Sequence, residues 1–95
     1  MEKRFHIYIL ASKSGVLYIG MTNNLVGRIW DHKQKRFPGF TSKYNVTKLV
    51  WYEARSTAMS AVAREKEIKA WRRSKKVALI EAMNPHWKDL TPEIS

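Results

Sequence analysis

The sequence predicts a single α+β domain, and two observations lead to this prediction. Three short runs are rich in β-branched and aromatic residues, which favours strands, and three longer segments follow helix-capping residues. The chain has 95 residues, of which 44% are hydrophobic, so it can form one core without help from disulfides. We expect the domain to span residues 1–95, with a core at about 4–84 and a C-terminal tail at 85–95.

The first two predicted strands form a β-hairpin that carries a tyrosine on each arm. The strands cover residues 5–10 and 16–20, and residues 12–15 between them favour a turn. Tyr8 and Tyr18 have the same parity, so a loop of three or five residues places both phenols on one face of the sheet. A four-residue loop places them on opposite faces unless a bulge intervenes.

A short helix at 25–32 is predicted after residues 21–24, which include N-capping residues. Arg28 and His32 are four residues apart on this helix, so one lies above the other on the same face. Gly27 weakens a helix by about 1 kcal/mol relative to alanine. Close approach of another backbone would explain its presence.

The rest of the chain is predicted to contain one strand and two helices. Ser56 is the expected N-cap of the first helix and Ser74 that of the second, which Asn84-Pro85 ends. The predicted order is a loop at 33–44, a strand at 48–53, helices at 57–73 and 75–83, and an irregular tail at 86–95.

One carboxylate falls among the apolar residues of the long predicted helix. The apolar stripe, which follows the helical period, consists of Ala58, Ala61, Val62 and Ile68. Glu65 lies in this stripe, whereas Glu67 points outward. A carboxylate on an apolar face is costly unless it is paired, hydrogen-bonded or metal-bound. Glu65 is therefore a buried residue held by an arginine or tyrosine, a residue at the edge of the stripe, or part of a site.

The chain is strongly basic, with 18 Lys and Arg residues, 8 Asp and Glu residues and a formal net charge of +10. Such an excess destabilises a small domain by self-repulsion and favours a polyanionic partner. We expect nucleic acid, because aromatic residues lie among the basic ones; an anionic membrane or a merely soluble basic protein is the alternative. Seven residues are candidates for phosphate contact: Lys33, Lys35, Arg36, Lys43, Lys69, Arg72 and Arg73.

The residue types also argue against several functional classes. There is no cysteine, so neither a disulfide nor a thiolate metal site can form. No segment is long enough to span a bilayer and residues 5–10 are too short for a signal peptide, so we expect a cytoplasmic protein without membrane contact. The lack of clustered acidic residues argues against a two-metal nuclease. Arg28, a bidentate phosphate donor one turn from His32, favours an anionic substrate.

Taken together, these segments resemble the GIY-YIG nuclease superfamily, and in particular its small standalone, excinuclease-like bacterial members. The resemblance covers nearly the whole chain. It runs through His6-Ile7-Tyr8, residues 17–25 with Tyr18-Ile19-Gly20, Arg28, His32, and residues 40–44, 49–53, 63–69 and 84–90. One departure is His6, which stands where the first motif has glycine; its Cβ limits backbone freedom but replaces no catalytic side chain.

The resemblance implies a small three-stranded antiparallel sheet flanked by three or more helices. It also implies a DNA endonuclease or nickase that uses one divalent metal, Mg²⁺ or Mn²⁺. Tyr8 and Tyr18 would be the motif tyrosines, one of which helps to activate the attacking water. Arg28 would stabilise the phosphate, and His32 would lie near the scissile group. Glu65 would be the sole protein ligand of the metal.

The remaining expectations concern a residue that supports the site, the biological role and the partners of the protein. By resemblance, Asn84 would support the site, and the activity would be structure-selective, in DNA repair or recombination. The small size suggests a protein partner for targeting, and we expect a monomer or weak dimer. Two other functions stay open: a non-catalytic basic nucleic-acid-binding module, with salt-sensitive binding, and a protein-interaction module, with a large exposed apolar patch.

Overall fold

The computed structural model describes residues 4–36 and 38–94, which form one three-stranded antiparallel sheet and five helices. The strand order is β2-β1-β3, so β1 is the central strand. The elements are β1 (Phe5–Ala11), β2 (Leu17–Thr22), α1 (Leu25–Lys33), α2 (Phe40–Lys43), β3 (Lys48–Arg55), α3 (Ala58–Ala70), α4 (Arg73–Met83) and α5 (Thr91–Ile94). The predicted fold class is confirmed.

The hairpin register places both tyrosines on one face of the sheet. Tyr8 lies opposite Gly20 and Leu10 opposite Tyr18, and the strands are joined by residues 12–16. The Ser12 side chain closes this five-residue loop by accepting a hydrogen bond of 3.0 Å from the Val16 amide. The parity prediction is confirmed, because an odd loop keeps the two phenols on the same side.

Helices cover both faces of the sheet, so the core has two layers. Because side chains alternate along a strand, Ile7 and Ile9 of β1 pack on one face against residues of α3 and α4, including Ile68. Tyr8 and Leu10 pack on the other face, against α1 and the chain that leads to α5. A register shift between Ile9 and Leu10 in the pairing with β3 accommodates an extra residue in that strand.

A glycine in β2 makes room for the phenol of Tyr8. The Tyr8 side chain is fully buried on the central strand. A Cβ atom at Gly20 would lie 2.4 Å from both Cζ and Oη of Tyr8. Any other residue at position 20 would therefore displace the phenol or the strand.

The glycine in α1 accommodates a cap rather than another backbone. The Asn24 side chain accepts a hydrogen bond of 3.1 Å from the Gly27 amide. A Cβ atom at Gly27 would lie 2.4 Å from Nδ2 of Asn24. The prediction that another backbone approaches Gly27 was wrong, because the group close to Gly27 is the side chain of Asn24, the N-cap of the helix.

The predicted bounds of the two long helices were partly wrong. Helix α3 is capped by Thr57 instead of Ser56, since the Thr57 hydroxyl accepts a hydrogen bond of 3.1 Å from the Ser60 amide. It ends at Ala70 because Trp71 has an extended backbone. Helix α4 begins at Arg73, so Ser74 lies inside it and does not cap it.

Two segments expected to be irregular contain short helices. The predicted loop at 33–44 includes α2, and the predicted irregular tail includes α5. The tail packs on the sheet, since Leu90 is buried and its amide donates a hydrogen bond of 2.7 Å to the Leu49 carbonyl. Within residues 4–36 and 38–94, no helix is long and apolar enough to cross a membrane.

Replacing Gly20 with alanine is expected to destabilise the fold by about 1–3 kcal/mol, because the new methyl group would overlap the Tyr8 phenol. Urea unfolding followed by circular dichroism measures the free energy of unfolding. The control is the same change in a Tyr8→Leu background, where the cost should shrink since the phenol is gone. An equal cost in both backgrounds would contradict the proposed contact.

Candidate active site

A buried hydrogen-bonded chain links the sheet to two helices. The Tyr8 hydroxyl of β1 lies 3.1 Å from Nε2 of His32 on α1. Nδ1 of the same imidazole lies 3.3 Å from the Thr41 hydroxyl on α2. All three side chains are buried, so these hydrogen bonds satisfy polar groups that have little contact with water, and Arg28 adds a further hydrogen bond to Tyr8. The imidazole is therefore held at both nitrogens.

An open cavity lies next to this chain, and Tyr18 forms part of its wall. The Tyr18 ring centroid is 6.3 Å from that of Tyr8 and 5.6 Å from that of His32. Tyr18 is only half-buried. The cavity has a volume of about 260 Å³ and is lined by Tyr18, Arg28, His32, Pro38, Phe40 and Thr41.

Arg28 supplies positive charge to both ionisable groups of the chain. Its guanidinium lowers the pKa of Tyr8 through its charge and a hydrogen bond, but burial outweighs both, so the pKa of Tyr8 is raised. Burial, with the charge of Arg28, lowers the pKa of His32 below its ordinary value. At neutral pH the phenol and the imidazole are therefore both uncharged, and Arg28 carries the charge at the cavity.

Glu65 lies at the edge of the helix face that packs on the sheet. Its side chain is 21% exposed, whereas Ala61 and Ile68 on the same helix are buried. Its carboxylate lies 3.4 Å from Nζ of Lys69, and its charge adds to the main effect of burial in raising the pKa of Tyr8. Of the three possibilities left open by the sequence, burial in the core is excluded. The prediction that Ala58 belongs to the apolar stripe was wrong, because Ala58 is exposed at the start of α3.

The donor set fits a single hard cation that keeps most of its waters. In the described part of the chain, no group of three His, Cys, Asp or Glu side chains could enclose a metal ion. Glu65 offers one partly exposed carboxylate. Mg²⁺ and Mn²⁺ favour oxygen ligands, and Mg²⁺ commonly retains several waters beside one or two carboxylates. Glu65 is therefore suited to such an ion.

Asn84 joins the end of α4 to the sheet. Its amide nitrogen donates to the carbonyls of Val50 at 3.2 Å and Lys88 at 2.8 Å, and its oxygen accepts from the Lys88 amide at 3.0 Å. None of these three bonds reaches the cavity residues. The observed contacts hold the fold together, and support of the site by Asn84 stays a prediction.

The seven basic candidates form two groups. Four lie near the end of α1 and α2, where Lys33 pairs with Asp89, Arg36 lies 3.6 Å from Asp31 and Lys43 is exposed. Lys35 of this group donates to the Asn45 side chain. The other three are exposed around the junction of α3 and α4: Lys69, Arg72 and Arg73.

Two contributors to the site were missed from the sequence. Thr41 holds the imidazole of His32, and Phe40 lines the cavity. Both lie on α2, within the segment expected to be a loop. The only available signal was their place in the segment 40–44 that carries the family resemblance.

The residues that build this sheet and this cavity match a family of nucleases. Residues 4–78 match the GIY-YIG catalytic domain, so the chain belongs to the GIY-YIG family. Membership implies DNA as the substrate, and nucleases of this family generally depend on a divalent metal.

Small bacterial proteins are similar to this chain over most of their length. The UPF0213 protein of Bacillus pumilus is 34% identical over 84 residues, covering 87% of this chain and 86% of the relative. The UPF0213 protein of Clostridium perfringens is 33% identical over 90 residues, covering 95% of this chain and 97% of the relative. The solution NMR structure of a Bacillus halodurans UPF0213 protein has a TM-score of 0.60 and 27% identity, covering 93% and 94% of the two chains.

The buried His32 imidazole is expected to make the fold less stable at acid pH. Because burial lowers its pKa below 6.5 in the folded protein, the unfolded chain binds the proton more tightly. The stability contributed by the neutral imidazole is complete above about pH 6.5 and is lost as the pH falls through the folded-state pKa. Urea unfolding between about pH 7.5 and pH 5 measures this loss.

His32→Gln should give a shallower dependence on pH than the unchanged protein. His86→Gln, at an exposed position, is the matched control. Some dependence should remain, because burial and the charge of Arg4 also lower the pKa of His6. An identical pH dependence for His32→Gln and the unchanged protein would show that His32 is not the titrating group.

Proposed function

We propose that this protein is a divalent-metal-dependent DNA endonuclease or nickase. The observation that supports this most directly is the buried Tyr8–His32 pair beside a cavity lined by Tyr18 and Arg28. The pair is neutral and fixed, and the cavity is open to a substrate. Such an arrangement suits hydrolysis of a phosphodiester, in which charge develops on oxygen atoms.

Arg28 is proposed to bind the scissile phosphate. A guanidinium presents two parallel donors to phosphate oxygens, and it keeps its charge throughout. In the cavity it would stabilise the negative charge that grows on the phosphate in the transition state. The net charge of +10 favours approach of the DNA.

The two tyrosines are proposed to have different roles. Tyr8 is buried and its pKa is raised, so it would act as a neutral hydroxyl that holds His32 in place. Tyr18 is partly exposed to the cavity and would position the attacking water. The proton that the water loses would then reach the neutral imidazole of His32 through the Thr41 hydroxyl, which lines the cavity and contacts Nδ1.

Glu65 is proposed to hold the metal ion. When bound, Mg²⁺ or Mn²⁺ would neutralise charge on the phosphate and on the leaving oxygen. Glu65 would have to exchange its contact with Lys69 for the metal. This exchange costs little, because an ion pair at 3.4 Å to an exposed lysine is worth only about 0–1 kcal/mol.

The biological setting is proposed by family resemblance. We propose a cytoplasmic enzyme of DNA repair or recombination, monomeric or weakly dimeric, that selects its substrate by DNA structure or through a protein partner. The basic residues near α2 and at the α3–α4 junction would contact phosphates on either side of the cut. Asn84 would support the site by fixing the end of α4 against β3.

A non-catalytic DNA-binding module is the second candidate. The pairing of Glu65 with Lys69 favours it, because a carboxylate already paired with a lysine need not bind a metal. This function predicts salt-sensitive binding that Glu65 substitutions leave intact. Cleavage assays separate the two candidates.

Replacing Glu65 with glutamine is expected to reduce metal-dependent nicking by at least about 100-fold, because the amide removes the charge that holds the cation. The assay uses supercoiled plasmid and branched DNA with Mg²⁺ or Mn²⁺. Glu67→Gln is the matched control, since Glu67 lies on the same helix, is 53% exposed and pairs with Arg64. It should cut normally.

Binding and stability are measured for the same variants. DNA affinity in EDTA and the midpoint of thermal unfolding should stay close to those of the unchanged protein for both. Equal nicking by Glu65→Gln and Glu67→Gln would contradict the metal-ligand role. Tight binding with no nicking by any form would favour the non-catalytic module.

A further inference from the structure

Two exposed aromatic rings extend outward from the candidate site. Phe40 and Tyr44, at either end of α2, are 47% and 46% exposed. Their ring centroids are 5.0 Å apart, and Phe40 lies 6.5 Å from Tyr18. Tyr18, Phe40 and Tyr44 thus form a continuous row of rings, which we call the aromatic row, leading away from the cavity.

The aromatic row ends at a second cleft. Tyr44 lines this cleft, which has a volume of about 570 Å³ and is separate from the cavity of the candidate site. Its other lining residues include Lys13, Lys33 and Lys48, with the hydroxyls of Ser12 and Ser14. Asp89 pairs with Lys33 there, so the net positive charge comes from Lys13 and Lys48.

A further positive charge lies over the row itself. Nζ of Lys43 is 5.4 Å from the centroid of the Tyr44 ring. The row of rings therefore carries one ammonium group over its outer end and leads to two more, those of Lys13 and Lys48, in the second cleft. Grooves that bind single strands combine these two features, because bases stack on the rings and phosphates contact the cations.

The rings suit unpaired bases better than paired ones. In a duplex the faces of the bases are covered by their neighbours, so an exposed ring has no free face to stack on. An unpaired base offers its face, and stacking on an aromatic side chain is worth about 1–3 kcal/mol per base. Acidic protein segments would use the lysines but gain little from the rings.

We propose that Phe40 and Tyr44 form a stacking platform for an unpaired nucleic-acid strand. The strand leaves the candidate site, crosses α2 and enters the second cleft, where Lys13 and Lys48 contact its phosphates. The direction of the strand rests on the proposed function, because that function places the scissile phosphate beside Arg28. The platform itself does not depend on cleavage.

The test is equilibrium binding measured by fluorescence anisotropy in EDTA, so that no cutting occurs. The probes are a blunt duplex, the same duplex with an unpaired deoxyuridine tail, and the duplex with an unpaired uridine tail of RNA, so that the two tails differ only in the sugar. Both tailed probes should bind at least about fivefold tighter than the blunt duplex, which corresponds to stacking of one base. A difference between the two tails would identify the sugar that the platform prefers.

Phe40→Leu and Tyr44→Leu should each weaken binding of the tailed probes roughly fivefold, and Tyr44→Leu, which lies outside the cavity, should leave the blunt duplex unaffected. Trp30→Leu is the matched control, because Trp30 is an equally exposed ring, at 55%, on α1 outside the row. Lys13→Gln and Lys48→Gln should reduce the salt dependence for tailed probes only. Circular dichroism confirms that each variant is folded.

Equal affinity for blunt and tailed probes would overturn the proposal, as would an equal loss for Trp30→Leu and Tyr44→Leu. Competition by poly-glutamate that depends on Phe40 and Tyr44 would also overturn it, since it would indicate an acidic protein partner. A tail preference that needs both rings in a protein that does not nick would support the platform and contradict the proposed function. Nicking by a protein that shows no preference for tailed probes would support the proposed function and contradict the platform.

Discussion

The hydroxyl of Tyr8 is the group on which the arrangement of the site depends. It lies on the central strand with no access to solvent, and an unpaired buried hydroxyl costs about 1–3 kcal/mol. His32 supplies the partner, and Thr41 in turn fixes the imidazole. Gly20 leaves the space in which the phenol lies. This buried polar chain therefore joins α1 and α2 to β1, and Gly20 allows β2 to lie beside the phenol.

The burial of Tyr8 and His32 also separates the uncharged groups of the site from the charged ones. Burial keeps the phenol of Tyr8 and the imidazole of His32 uncharged, so the fixed charges are those of Arg28 and Glu65. Neutral groups can hold or move a proton, whereas charged groups can bind a phosphate or a cation. The fold thus places a neutral pair in the interior and charged groups toward solvent, which is the separation that the proposed division of proton transfer and charge stabilisation requires.

The sequence predicts features that depend on local periodicity and misses those that depend on tertiary contacts. Parity alone placed Tyr8 and Tyr18 on one face once the loop had an odd length. The helical period placed Glu65 in the apolar stripe but could not tell an edge from a core position, because that depends on where the sheet ends. Helix α2 was missed, since four residues give almost no periodic signal. Thr41 could be identified only after α2 was located against His32.

The two carboxylates of α3 show why Glu65 is the better candidate for a metal ligand. Glu67 faces Arg64, a fork donor that also binds Glu53, so the Glu67 carboxylate belongs to a network of side chains. Among the residues that the structure describes, Glu65 forms an ion pair with one exposed lysine, Lys69, and such pairs are screened by salt. A cation of higher charge could displace Lys69 and still leave the helix packed, because Ala61 and Ile68 hold it on the sheet.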